Sequence, residues 1–149
     1  MGADWVIPKE EVEDPGAGRF VSTCLEHKDH LVYFLLNVGD GDTQLVLLPA
    51  DEDGRRRGVV VDIATIRKLP ALCRDLAERG ILRQLDRAGV FPVVVGTHPH
   101  DDHMGGMPQF IEELSGQIGE FWEPGYYHSS GSYIETMAQL EGMGHVQRT

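Results

Sequence analysis

The sequence predicts an α/β domain, and three observations predict it. Apolar runs of strand length alternate with polar turns between residues 31 and 63. The apolar spacing then becomes helical across residues 64–87, and a further apolar run follows at 90–95. Strand, helix and strand in that order within one short chain is the pattern of layered α/β packing.

Residues 4–19 hold five acidic side chains, two prolines and two glycines, so the first 18 residues read as an irregular lead-in to a domain over 19–149. Residues 19–25 form a short strand candidate, and His27 to His30 make a polar turn. Residues 31–38 are rich in β-branched and aromatic side chains and predict a strand. Gly39, Asp40, Gly41 and Asp42 form a turn into a second strand at 43–48. Arg55, Arg56 and Arg57 lie in a polar segment and read as a solvated loop tip rather than a nucleic-acid patch. A buried strand at 58–63 ends on the carboxylate of Asp62, and hairpin connections make this part of the sheet largely antiparallel.

Ile66, Leu69, Leu72, Cys73, Leu76, Ile81, Leu82 and Leu85 recur at helical spacing, with Gly80 separating a longer helix from a shorter one. Pro70 requires that a helix begin near it. Residues 90–95 read as a central strand with Pro92 near its start. A helix follows at 107–114 with Pro108 in its first turn, then a strand at 118–122, a helix at 133–140 and the start of a strand at 145–149.

With 149 residues the chain makes one domain with a real core. Thirteen Lys and Arg against 24 Asp and Glu leave a formal charge of −11, which opposes nonspecific binding to nucleic acid. A metal enzyme acting on a phosphodiester stays compatible with that charge, because bound cations invert the local field. Cys24 and Cys73 have no partner at metal-site or redox spacing and read as structural thiols. The N-terminus carries neither a basic leader nor a long apolar stretch, and no segment reaches the length of a membrane span, so a cytoplasmic protein is expected.

The densest chemistry is His98-Pro99-His100-Asp101-Asp102-His103, directly behind the apolar run and directly ahead of Gly105 and Gly106. Three imidazoles and two carboxylates in six residues are a metal-ligand set; a lone histidine would be read as an ordinary surface residue. His98 and His100 share a side in extended backbone, while Asp102 and His103 swing toward a second position as the chain turns. Zinc is the first expectation, with manganese or iron compatible and up to two ions in a complete site. Asp62, also at a strand end, either orients a ligand histidine from behind or caps the helix that follows.

The stretch from Thr97 to Gly106 resembles the His-x-His-x-Asp-His signature of the metallo-β-lactamase superfamily. Residues 34–42 and 45–48 resemble the glycine-and-aspartate hairpin near the start of many members, most similar to the branch containing bacterial DNA-uptake proteins and related hydrolases. The resemblance runs from about residue 30 to residue 110 and matches Asp62 to that fold's first conserved aspartate. It implies an αββα sandwich of which only the first sheet-and-helix half is present, a truncated portion of the domain. It also implies His98 and His100 on one metal, and Asp102 and His103 on the other. His128 falls on the expected substrate-side loop as a candidate substrate contact; His145 comes early for the family's later ligand histidine.

The function expected is a metal-dependent hydrolase in which a metal-held hydroxide attacks a phosphodiester or other ester, Asp102 binding metal and orienting the nucleophile. The alternative is a truncated or degenerate domain used as a noncatalytic binding or assembly module. Either way, a half-sandwich leaves an apolar sheet face open, to be covered by a second copy or by the other half of the fold.

Overall fold

The computed structural model describes residues 18–149. Apart from Gly18, the expected lead-in lies outside the described residues. The elements run α1 (Gly18–Glu26), β1 (Val32–Leu35), β2 (Thr43–Leu47), β3 (Gly58–Ile63), α2 (Leu69–Glu78), β4 (Phe91–Val95), α3 (Asp101–Met104), α4 (Met107–Leu114), β5 (Ile118–Trp122), α5 (Gly131–Glu141) and β6 (Gln147–Arg148). One mixed sheet takes the strands in sequence order. β1, β2 and β3 pair antiparallel through short connections, whereas β3, β4, β5 and β6 pair in parallel across helical crossovers. The chain is therefore α/β, as its periodicity predicts.

Two elements differ from expectation. Residues 19–25 are helical, not extended, because Val21 and Cys24, three apart, both face the core, a spacing a strand cannot satisfy. No second helix follows Gly80. There α2 ends in a Schellman cap: the Gly80 amide donates to the Ala77 carbonyl and the Ile81 amide to that of Leu76, with Gly80 at φ +78°. Ile81 and Leu82 are buried, and Leu82 bridges to Arg56, so backbone pairing with a distant loop displaces the local helix.

That loop holds the clearest correction. Arg56 is 1% exposed, not a solvated tip. Its guanidinium donates to the carbonyls of Cys24 (3.0 Å), His27 (2.6 Å), His30 (2.7 Å) and Leu48 (3.0 Å), stapling α1 and the following turn to β2. Carbonyls that no helix or sheet uses thereby solvate a buried cation. Arg57 beside it stays exposed.

One face of the sheet carries Leu45, Leu47, Val60, Val94 and Phe121, buried with side chains from all five helices. Phe91 and Phe110 meet edge to face there at 5.3 Å, a pair contributing about 1 kcal/mol beyond its burial. Among the described residues, no helix covers the opposite face. Register places Leu35, Gln44, Val61, Val95 and Trp122 in one continuous row across five strands, and Tyr33, Val46 and Val59 in a second. None of these eight is buried; Leu35 is 66% and Trp122 46% exposed. Both cysteines are buried and free, as expected. No helix among the described residues is long and apolar enough to cross a membrane.

Candidate metal centre

The chemistry gathers at the carboxyl ends of β3 and β4, where parallel sheets commonly place their sites. β3 delivers Asp62, β4 runs into Thr97 and the histidine segment, and the turn before β2 folds over both. That turn packs onto the backbone of the ligand loop. Gly41 sits at φ +119°, and a Cβ there would overlap the Asp102 carbonyl oxygen and the Ala64 side chain. The Asp42 amide donates to the same Asp102 carbonyl at 2.9 Å, and the Asp42 carbonyl accepts from the Ala64 amide at 2.9 Å.

Asp62 is the hub. Among the described residues it is the one non-glycine at positive φ (+56°), and its side chain is almost wholly buried. One carboxylate oxygen accepts the Thr97 amide at 2.7 Å; the other accepts the Thr97 hydroxyl at 2.5 Å and lies 2.8 Å from His103 Nδ1. Helix α2 begins only at Leu69, so Asp62 does not cap it.

These bonds fix the proton positions on two rings. A carboxylate partner requires a proton on His103 Nδ1, leaving Nε2 bare in the neutral ring. The Thr97 hydroxyl spends its proton on Asp62 and so accepts from His98 Nδ1, 3.2 Å away, which leaves His98 Nε2 bare as well. The two rings lie 4.8 Å apart between centroids, and Asp102 places an oxygen 3.7 Å from His103 Nε2. Donors about 2.1 Å from a shared tetrahedral ion stand roughly 3.4 Å apart, so the 3.7 Å between Asp102 and His103 Nε2 is near the spacing of two ligands, and the bare imidazole nitrogens and carboxylate suit a divalent cation by donor chemistry. Asp42 is drawn in too: Asp42, Asp62 and His103 each bring one donor atom within 4.8 Å of the others.

Burial by itself pushes the His103 imidazole down. The hydrogen bond that the ring donates to Asp62, with the charges of Asp62, Asp102 and Asp42, outweighs it and raises the ring above its ordinary value.

The sequence-predicted residues therefore divide. His98, Asp102 and His103 come together, with Asp62 behind them. His100 is exposed and packs its ring on His128 at 4.5 Å. His145 bonds the Ser115 carbonyl at 2.9 Å, at the amino end of β5 and thus the opposite end of the sheet. Sequence reasoning missed Asp42, read only as a turn residue, and Thr97, whose hydroxyl links His98 to Asp62. The signal available for Asp42 was its place in a glycine-rich turn leading into a buried strand. Compared with protein-family models and with curated proteins, the chain matches none of either.

Proposed function

We propose that this chain carries the metal-binding portion of a metal-dependent hydrolase, with zinc as the first choice of ion and a fold like the first half of a metallo-β-lactamase sandwich. The observation that carries the reading is the single buried carboxylate of Asp62, which holds His103 directly and His98 through Thr97 in the tautomer that offers Nε2 outward. Manganese or iron suits the same mixed nitrogen and oxygen donors. When bound, a divalent cation supplies Lewis acidity and brings the ionisation of water toward neutral pH.

The residues of the chain do the rest. His98 and His103 would hold an ion through Nε2 with Asp102 as a carboxylate donor, His100 would add a further nitrogen, and any second ion would draw on Asp102 and Asp42, since His103 has one free nitrogen. Asp102 is half-exposed, which leaves one of its oxygens free to orient the attacking water. Substrate is a phosphodiester or another ester.

Metal content and hydrolysis together test this. The full chain is expected to take up at least one equivalent of zinc and to cleave bis(p-nitrophenyl) phosphate or an aryl ester, both lost in His98→Ala and His103→Ala. A chain that takes up no zinc, manganese or iron from excess metal overturns the reading.

The open sheet face favours a second reading, an assembly module. Five strands at about 4.8 Å spacing make that face about 20 Å wide. It is apolar but for Gln44 and Glu120 in a chain of charge −11. We assign its occupant as a second copy of the chain, stacked face to face about 10 Å apart. Sedimentation is expected to show a dimer that Leu35→Glu and Val61→Glu convert to monomer; a wild-type monomer at high concentration removes this reading.

A further inference from the structure

We propose that His128 is the arm of this site that contacts substrate: it donates a hydrogen bond from Nε2 to an oxygen of the ester, phosphoryl or acyl, and holds no metal. The inference rests on the hydrolase reading above and adds the recognition of the reacting group to it.

The segment carrying His128 lies between β5 and α5, far along the chain from the histidine cluster, yet it is fastened to that cluster at three points. The His128 ring packs on that of His100 at 4.5 Å between centroids. The Ser130 hydroxyl donates to the Pro99 carbonyl, and the Ser132 hydroxyl donates to the Asp101 carboxylate. Such fastening fixes a side chain to within the tolerance a binding contact needs.

The polarity of the ring then decides its role. The Ser130 amide donates to His128 Nδ1 at 3.1 Å, which requires that nitrogen to be bare. The proton of the neutral ring therefore sits on Nε2, the reverse of His98 and His103, whose Nδ1 atoms donate to the Thr97 hydroxyl and to Asp62 respectively. A ring arranged this way cannot offer Nε2 to a cation without breaking the Ser130 bond. It can offer Nε2–H to an oxygen, and the side chain is only half-buried. Packed on His100, in the same short segment that carries the two rings with bare Nε2, a ring built to donate is suited to the oxygen that a bound cation polarises.

Ring-nitrogen NMR on the full, labelled chain tests this, with and without one equivalent of zinc and during titration with inorganic phosphate or acetate. Expected are a His128 proton on Nε2 in both states, zinc stoichiometry unchanged in His128→Ala, and a His128 Nε2–H signal that moves with the anion. Phosphate distinguishes a phosphoryl site, acetate an acyl one. Anion affinity should fall about tenfold in His128→Ala and recover partly in His128→Gln, whose amide nitrogen replaces the donor. A zinc-induced shift of His128 Nε2 typical of ligation, zinc lost in His128→Ala, or anion binding indifferent to the substitution overturns the inference. If the wild type binds no zinc, manganese or iron, the hydrolase reading falls on that result alone. The zinc-free spectra then decide His128: a signal moved by either anion upholds the donor role, and an unmoved one overturns it.

Discussion

The Asp62 carboxylate and the His103 Nδ1 atom, 41 residues apart in sequence, stand 2.8 Å from one another at the carboxyl end of the sheet. One of the pair is almost wholly buried and the other is 19% exposed, so the contact joins the interior to the rim. It orients the ring, sets its tautomer and raises its affinity for a proton.

Substituting Asp62 should separate backbone from chemistry. Asn tolerates the left-handed backbone at φ +56°, but its amide NH₂ can face His103 only as a donor, which moves the ring proton to Nε2. Asp62→Asn is therefore expected to fold and to lose about 10- to 100-fold in zinc affinity. Asp62→Ala also carries the cost of a strained φ, about 1–2 kcal/mol, and should unfold at lower denaturant. Calorimetric zinc titration and urea melts measure the two effects.

The pH dependence follows from His103. Its raised folded-state value means that the metal-free fold holds the proton more tightly than the unfolded chain does. This stabilisation is complete below the ordinary value of 6.5 and is lost as pH rises through the raised one. Denaturation of metal-free protein across that window should show falling stability, and Asp62→Asn should flatten the dependence. Zinc competes for Nε2 with the same proton, so zinc affinity should rise over the same interval.

Two neighbouring arginines should behave oppositely. Arg56→Met removes a donor from four carbonyls, of which His27 keeps the His30 amide, and should cost about 2–4 kcal/mol in a urea melt. Arg57→Met, on an exposed side chain, should change stability by less than about 0.5 kcal/mol.

Burial pushes the Cys73 thiol up to about 12, against a small opposing pull from Arg74. In the folded chain it should resist iodoacetamide at pH values where a free thiol reacts, and react once the chain is denatured. The folded state refuses an ionisation that the unfolded state accepts above 9.0, so this residue costs stability as pH climbs from there toward 12. Rapid labelling of native Cys73 at mildly alkaline pH contradicts its placement in the core.

Much of the architecture was legible along the chain. The strands at 43–47, 58–63 and 118–122 and the helix at 107–114 follow from period and turn chemistry, because in each the local preference and the burial demand agree. Residues 19–25 were illegible for the opposite reason. Their β-branched content favours a strand, and only the location of the core selects the helical face through Val21 and Cys24. Arg56 looked like its two neighbours in sequence; what distinguishes it is a ring of four carbonyls assembled from α1, its following turn and the end of β2.

The density of imidazoles and carboxylates from His98 to His103 is legible in the sequence itself; which of them gather was not, since His98, Asp102 and His103 come together while His100 packs on His128 and Asp101 accepts from Ser132. Which nitrogen each ring presents was decided only in three dimensions. Thr97 and Asp62 reach His98 and His103 from separate strands, Ser130 reaches His128 from a third segment, and a ring's single proton goes wherever the nearest partner places it.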